Sequence, residues 1–183
     1  MRIVAGKHRS RKIEAVPGMN TRPTLDKVKE AVFSSLGTYF DGGWFLDLFS
    51  GSGNMALEAI SRGMEKAVMV DMSFDAVKTI QKNVETLKEQ AACIVWKMEA
   101  KKALRQCSSF NYQFDCIYLD PPYAKKDVEV LLNKIIEFNL LKEDGVLVYE
   151  CLKEDAPILI DALELYKQAN YGIVRVNYYR RKS

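Results

Sequence analysis

The amino-acid sequence predicts an α/β fold in which a doubly wound, mostly parallel sheet is completed by an antiparallel hairpin. Between residues 44 and 149, short apolar runs alternate with segments of helical periodicity. This alternation is typical of parallel strands joined by helices on both faces of a sheet. Residues 165–171 and 173–179, on either side of Gly172, have the pattern of a hairpin. The chain, with 183 residues of which 48% are hydrophobic, is long enough for a substantial core.

A basic arm and a helix are expected to precede the sheet. Residues 2–16 alternate loosely around a polar, basic block, which predicts a hairpin or arm with a basic tip. Apolar residues at helical spacing then predict a helix over residues 25–36, with Thr24 as its N-cap and Gly37 at its end.

The elements of the main domain follow in regular order. We place a boundary near residue 41, so that an N-terminal extension (1–40) precedes a main domain (41–183). The predicted strands before the hairpin are residues 44–49, 67–70, 93–96, 115–119 and 146–149. The predicted helices are residues 54–62, 74–87, 100–107 and 127–138. With the hairpin, the sheet is expected to have seven strands.

The positive charge of the chain is concentrated at its N-terminus. The formal net charge is +3, but residues 1–30 hold eight Lys and Arg residues against three acidic ones, so the remaining 153 residues carry −2. A basic segment on a nearly neutral body is expected for a protein that binds a polyanion, with nucleic acid as the first candidate. A solvated basic hairpin with no partner is the alternative.

Several classes of function are disfavoured by composition. No apolar run approaches the roughly 20 residues that cross a bilayer, and the N-terminus lacks the apolar core of a signal peptide. We therefore expect a cytoplasmic protein without a membrane partner. The single histidine, His8, and four cysteines without a CxxC spacing give no basis for a metal site, a serine triad or a papain-like dyad.

The tetrapeptide Asp120-Pro121-Pro122-Tyr123 follows an apolar run that predicts a buried strand. Two consecutive prolines cannot donate hydrogen bonds to a sheet, so the chain must leave the sheet there. Ligands of open α/β sheets bind outside the carboxyl ends of the strands. The tetrapeptide suits a planar aromatic amine, which would stack on Tyr123 while its N–H groups point at Asp120 and the Pro121 carbonyl. The alternative is a plain loop.

A glycine-rich turn joins the first predicted strand to the next helix. Gly51 and Gly53 allow a tight turn and the close approach of a ligand to the helix N-terminus. Asp71, twenty residues after Gly51, ends the second strand and is placed to accept hydrogen bonds from ribose hydroxyls. The spacing also fits the dinucleotide fingerprint G-x-G-x-x-A, so a nicotinamide or flavin dehydrogenase is an alternative. Asp47, just before the turn, would repel a pyrophosphate but attract the ammonium and sulfonium groups of S-adenosylmethionine.

S-adenosylmethionine is therefore the expected cofactor. Glu99-Ala100, directly after the third strand, is placed to accept from the adenine amino group, although an exposed glutamate at a helix start is the alternative explanation. The candidate cofactor-binding residues are Asp47, Phe49, Gly51, Ser52, Gly53, Asp71, Met72, Glu99 and Ala100.

These motifs resemble those of class I, S-adenosylmethionine-dependent methyltransferases, and more narrowly the RsmD family of 16S ribosomal RNA guanine-N2 methyltransferases. The resemblance spans nearly the whole chain. It rests on Gly6-x-x-Arg9-x-Arg11-Lys12, Arg22-Pro-Thr-x-Asp26-x-Val28-x-Glu30, Asp47-x-Phe49-x-Gly51-Ser-Gly53, Leu57-Glu-Ala59-x-Ser-Arg-Gly63 and Asp120-Pro-Pro-Tyr123. The sequence departs from the family pattern in four places: Ser10 and Ala56 replace glycines, Asp71 a glutamate and Glu99 an aspartate.

The resemblance implies a Rossmann-like fold and methyl transfer from S-adenosylmethionine to the exocyclic N2 amine of one guanine. Asp120, Pro121, Pro122 and Tyr123 would be the catalytic residues. Arg9, Arg11, Lys12 and Arg22 would bind RNA phosphates. The implied partner is small-subunit ribosomal RNA, free or in an assembling subunit, and we expect a monomer. Two alternatives stay open: a DNA adenine-N6 or cytosine-N4 methyltransferase, and a non-catalytic RNA-binding assembly factor.

Overall fold

Seven strands form one sheet in the structure of the protein, a computed structural model that describes residues 1–19, 23–122 and 124–183, with residues 23 and 24 described by their backbone alone. The strands are β1 (Trp44–Asp47), β2 (Lys66–Asp71), β3 (Cys93–Lys97), β4 (Phe114–Leu119), β5 (Leu141–Leu152), β6 (Leu163–Tyr171) and β7 (Val174–Arg181). The helices are α1 (Pro23–Leu36), α2 (Asn54–Ser61), α3 (Phe74–Leu87), α4 (Ala100–Ser109) and α5 (Lys125–Glu137).

The order of the strands is β3-β2-β1-β4-β5-β7-β6. Strands β1 to β5 pair in parallel, β7 is antiparallel to β5, and β6 is antiparallel to β7. The predicted mostly parallel sheet with a C-terminal antiparallel hairpin is therefore confirmed. Because the chain moves outward from β1 through β2 to β3 and then returns to β4 on the other side of β1, a crevice opens at the carboxyl ends of β1 and β4.

Several predicted boundaries are wrong by one to five residues, and two of these differences have a clear physical reason. Helix α1 begins at Pro23, so Thr24 lies inside it and is not its N-cap. Proline suits the first turn of a helix, where its missing N–H is not needed. Strand β5 begins at Leu141, so residues 143–145 are not a turn. They lie where the pairing of β5 with β4 shifts register, and a Cβ on Gly145 would come within 3.0 Å of the Phe114 carbonyl oxygen.

The N-terminal extension shares a core with the sheet. Ile3 and Ile13 of the arm, and Val32 and Phe33 of α1, pack in one buried cluster with side chains of α2 and of the sheet. Each such side chain contributes about 1.5–3 kcal/mol by leaving water. The functional division into residues 1–40 and 41–183 remains a prediction. None of the helices in the described ranges combines the length and apolar character needed to cross a membrane.

The buried carboxylate of Glu58 fastens the arm to α2. It accepts hydrogen bonds from the backbone N–H groups of Val4 and Ala5, each at 3.0 Å. It also pairs with two cations, Arg62 Nε at 3.0 Å and Lys29 Nζ at 3.2 Å. Glu58 and Lys29 are completely buried and Arg62 is 5% exposed. One carboxylate therefore neutralises charge inside the core and fixes the backbone of the arm.

Lys29 connects the arm to the glycine-rich turn. Besides Glu58, its ammonium group donates to the Arg2 carbonyl at 2.7 Å and to Asn54 Oδ1 at 2.8 Å, and Asn54 is the first residue of α2. Burial lowers the pKa of Lys29, and the charge and hydrogen bond of Glu58 partly offset this effect. The arm, α1 and the start of α2 are thus held by one buried lysine.

Candidate active site

A cavity of about 630 Å³ lies between the N-terminal extension and the carboxyl ends of β1, β2 and β4. Its volume is within the range of small-molecule sites, roughly 300–1,000 Å³. The predicted site residues in its lining are Asp47, Phe49, Gly51, Ser52, Asp71, Met72, Ala100, Asp120, Pro121 and Pro122. Residues separated by up to 75 positions in sequence, from Asp47 to Pro122, are therefore brought to one place by the parallel strands.

The glycine-rich turn is held to the end of β2 by Asp71. Gly51 N donates to Asp71 Oδ2 at 2.9 Å, and Ser73 N donates to Oδ1 at 2.9 Å. Gly51 has a φ of 55° and nothing would contact a Cβ built on it within 4 Å, so the turn leaves open space there. Gly53, with a φ of 82°, is the N-cap of α2 and lies outside the cavity lining. A ligand therefore has close access to the backbone at Gly51.

Asp47 is the buried carboxyl group of the cavity wall. It is 1% exposed. Burial is the main cause that raises its pKa to about 8; the charges of Asp120 and Asp71 add to the effect of burial, and the hydrogen bond from Phe49 N to Oδ1 opposes it. A positively charged ligand group at this position would favour the ionised form of Asp47.

Asp120 faces the cavity at the carboxyl end of β4. Its side chain is exposed in the open cavity, but the surrounding protein atoms desolvate it. This desolvation, together with the negative charge of Glu150, raises the pKa of Asp120 to about 7. A carboxyl group with a pKa near neutrality is suited to accepting a hydrogen bond or a proton during a reaction.

Among the lining residues with ionisable side chains, sequence reasoning missed three. Glu150 of β5 and Tyr118 of β4 lie beside Asp120, and Lys29 reaches the cavity from α1. Two signals could have found them. Glu150 directly follows the apolar run of the fifth strand, and Lys29 interrupts the apolar stripe of α1.

Glu99 does not line the cavity. It is exposed at the start of α4, whereas its neighbours Met98 and Ala100 are in the lining. Its contact with an adenine amino group remains a prediction. Tyr123 and Arg22, predicted for base stacking and phosphate binding, lie outside the described residues.

The tip of the arm lies away from the cavity. Lys7 N donates to the Ser61 carbonyl at 2.9 Å, and Arg11 Nη2 donates to the Thr86 carbonyl at 2.8 Å. These contacts place the tip at the C-terminal ends of α2 and α3, whereas Asn54 and Ala76, near their N-terminal ends, line the cavity. At 1.5 Å per residue, the separation is about 10–15 Å.

The predicted phosphate-binding residues of this tip, Arg9, Arg11 and Lys12, are exposed, and so is Lys7, which pairs with Glu89. Ser10, where the resemblance points to glycine, has a φ of 68°, in the region that favours glycine. Gly6 has a φ of 87°, and any Cβ on it would lie 1.9 Å from the Ser61 carbonyl oxygen. The tip is thus shaped by close backbone contact with α2 and presents its cations to solvent.

Comparisons with known proteins agree with this geometry. Residues 1–180 match the model of the family described as "Conserved hypothetical protein 95". The chain is 39% identical to "Putative rRNA methyltransferase YlbH" of Bacillus subtilis (strain 168), with all of both chains covered. It is 32% identical to "Ribosomal RNA small subunit methyltransferase D" of Haemophilus influenzae, over 98% of this chain and 93% of that protein.

A solved structure shares the whole fold. It is described as "Putative methyltransferase yhhF from Escherichia coli", is 29% identical, and superposes with a TM-score of 0.87 over 100% of this chain and 98% of that one. The predicted Rossmann-like class I methyltransferase fold is thereby confirmed. The family match over nearly the full length, together with the Asp120-Pro-Pro motif facing the Gly51 turn, shows that the chain belongs to the RsmD family of ribosomal RNA methyltransferases.

Proposed function

We propose that this protein acts in the cytoplasm, as a monomer, and transfers a methyl group from S-adenosylmethionine to the exocyclic N2 amine of a guanine in small-subunit ribosomal RNA. One observation carries the proposal: Asp120 and the two prolines face the same cavity as Asp47, Gly51 and Asp71. A site for an amine and a site for a cationic nucleoside therefore adjoin each other. The names of the relatives support ribosomal RNA as the substrate.

The residues of the cavity fit the cofactor. Asp47 would hold its ammonium group, and Asp71 would accept hydrogen bonds from its ribose hydroxyls. The backbone N–H groups of the turn other than that of Gly51, which donates to Asp71, would bind its carboxylate. The methionine and ribose portions would be lined by Phe49, Ser52 and Met72. The adenine would contact Glu99-Ala100, and Gly53 would keep the turn tight. When bound, S-adenosylmethionine supplies an electrophilic methyl group on a positively charged sulfur. The burial of Asp47 favours a cation over a pyrophosphate at this position.

The chain's own contribution to the reaction is to orient and activate the amine. The lone pair of a guanine amine is delocalised into the ring and is a poor nucleophile. Hydrogen bonds from its two N–H groups to Asp120 and the Pro121 carbonyl would favour a pyramidal nitrogen and direct its lone pair. Pro122 would keep the backbone rigid, and Tyr123 would stack on a base that has left its helix. Positioning and electrostatics are then the main sources of rate enhancement.

Cofactor affinity is expected to fall as the pH is lowered below about 8. The raised pKa of Asp47 means that the free protein holds a proton there which the positively charged ligand must displace. The association constant should therefore drop by up to about tenfold per pH unit. Calorimetry between about pH 5.5 and 7.0, where the ligand's α-amino group stays mostly charged, measures this slope. Asp47→Asn should bind weakly and without this slope, and an equal slope in that variant would contradict the assignment.

The N-terminal extension, residues 1–40, is proposed to bind RNA through Arg9, Arg11, Lys12 and Arg22. Replacing Arg9, Arg11 and Lys12 by alanine should weaken RNA binding and reduce the slope of log affinity against log salt by about 2–3, since each lost phosphate contact removes roughly 0.7–0.9. Titrations of the protein with RNA at several salt concentrations measure this slope.

A matched control for this variant is available on α4. Replacing Lys101, Lys102 and Arg105 by alanine removes the same charge from exposed positions of a helix that packs on the opposite face of the sheet. This control should keep most of the salt dependence. Equal slopes in the two variants would mean that the arm is only a solvated hairpin.

Tritiated S-adenosylmethionine tests the proposed function directly. The protein is incubated in parallel with bare small-subunit ribosomal RNA, partly assembled small subunits and duplex DNA, and the products are digested to nucleosides. Label in N2-methylguanosine is the expected result. Label only in DNA, or no label despite measurable cofactor binding, would overturn the proposal.

A further inference from the structure

The cavity contains a second carboxyl group, that of Glu150, beside Asp120. Strand β5 pairs directly with β4, in the register Leu119↔Tyr149, so Asp120 and Glu150 follow this pair at the same edge of the sheet. Glu150 is 8% exposed and lines the cavity. Its negative charge contributes to the raised pKa of Asp120, and burial raises the pKa of Glu150 as well. The function described so far gives Glu150 no role.

Tyr118 fixes the orientation of Glu150. The Tyr118 hydroxyl donates a hydrogen bond to Glu150 Oε2 in the cavity wall. Burial and the charge of Glu150 raise the pKa of Tyr118 well above its usual value, so the hydroxyl keeps its proton and stays a donor. A carboxylate has about four acceptor positions. Within the described residues Tyr118 is its one hydrogen-bond donor, so acceptor positions remain for a ligand.

Two carboxylates side by side match one nucleobase edge. The Watson–Crick edge of guanine presents two adjacent donors, N1–H and the N2 amine. Adenine and cytosine place an acceptor, a bare ring nitrogen, next to their exocyclic amines. A carboxylate at that position would face a lone pair and stay unpaired in a desolvated site, which is costly.

We propose that Glu150 accepts the N1–H of the substrate guanine while Asp120 accepts from the N2 amine. Glu150 is then the residue that selects guanine over the other bases with an exocyclic amine. This inference rests on the proposed function, and it adds a specificity-determining residue to it. It also gives a physical reason why a cavity with an Asp-Pro-Pro motif would reject adenine N6 and cytosine N4.

The test changes the base and one group of the protein. 2-Aminopurine keeps the N2 amine but lacks the O6 oxygen and has an acceptor at N1 in place of the donor, so the comparison between enzyme variants isolates the effect at Glu150. Small-subunit ribosomal RNA is ligated with guanosine or 2-aminopurine riboside at the nucleotide that the tritium label identifies. The ratio of kcat/KM for the two RNAs is measured for the wild type, Glu150→Gln and Glu154→Gln. The last variant makes the same chemical change at an exposed position just beyond β5.

The wild type should prefer guanosine by at least about 100-fold, as expected where a buried acceptor is left unpaired. Glu150→Gln should narrow the preference to within about tenfold, because a carboxamide can donate to the bare N1. Glu154→Gln should match the wild type. The ratio is independent of the fraction of folded enzyme, so a destabilised variant still gives an answer.

Two results would overturn the inference, and they are distinguishable. A preference that is unchanged in Glu150→Gln, or a wild type that accepts both bases equally, removes the role of Glu150 and leaves the proposed function standing. A wild type that binds S-adenosylmethionine but labels no N2-methylguanosine overturns the proposed function itself.

Discussion

Replacing Asp120 by alanine should lower kcat by about 10²–10⁴-fold while leaving the Kd for S-adenosylmethionine within about fivefold. The expected loss in rate is that of a positioned acid–base or electrostatic group. Cofactor affinity should survive because Asp47, Gly51 and Asp71, which would hold the cofactor, are on β1, the following turn and β2, whereas Asp120 follows β4. Single-turnover label transfer at saturating RNA measures the rate, and calorimetry measures the affinity.

Two further variants sharpen this experiment. Asp120→Asn keeps the shape and one acceptor oxygen but loses the charge, so its rate should fall between those of the wild type and Asp120→Ala. Asp144→Asn makes the same change at an exposed position of β5 and should leave the rate unchanged. A large loss of cofactor affinity in Asp120→Ala would contradict the division of roles between the two halves of the cavity.

Replacing Glu58 by glutamine should reduce the free energy of unfolding by about 3–5 kcal/mol. The carboxylate is completely buried, and its removal leaves Lys29 and Arg62 as uncompensated cations in the core. Breaking a buried ion pair by removing one partner typically costs that amount. The variant also weakens the acceptor for two backbone N–H groups of the arm. Because whole domains are stable by roughly 5–15 kcal/mol, the loss is severe.

Urea denaturation with a double-mutant cycle measures this effect. Lys29→Met combined with Glu58→Gln should cost about 1–3 kcal/mol less than the sum of the two single variants, since the paired charges leave together. Glu65→Gln, an exposed position shortly after α2, is the matched control and should change stability by less than about 0.5 kcal/mol. A cost below about 1 kcal/mol for Glu58→Gln would contradict the assignment of Glu58 as the residue that fastens the arm.

The parts of the fold that depend on local sequence could be predicted. The alternation of short apolar runs with segments of helical periodicity predicted the parallel strands. The spacing from Gly51 to Asp71 predicted that both residues lie at one edge of the sheet, where Gly51 N donates a hydrogen bond to Asp71. The glycine that the family pattern has at position 10 also has a local cause, since Ser10 has a backbone conformation that favours glycine. Predicting these features requires only the sequence within about 20 residues of each position.

The parts that depend on which elements become neighbours could not be predicted. Glu150 is thirty residues from Asp120, and only the placement of β5 beside β4 brings the two carboxyl groups together. Lys29 interrupts an apolar stripe, and its partners Glu58 and Asn54 come from a helix more than twenty residues away. Residues 143–145 have the composition of a turn, but the flanking pairs with β4, Leu141 with Phe114 and Val146 with Cys116, keep them within a strand. Tertiary contacts decide these cases against local preference.

The distance between the arm tip and the cavity has a consequence for the size of the substrate under the proposed function. Contacts at Ser61 and Thr86 hold the tip at the far ends of α2 and α3, about 10–15 Å from the cavity. With about 3.4 Å of rise per nucleotide in a helical strand, phosphates bound at the tip would lie about three to four nucleotides from the base in the cavity. A free nucleotide or a dinucleotide would then reach only one of the two places, whereas a folded RNA would contact both.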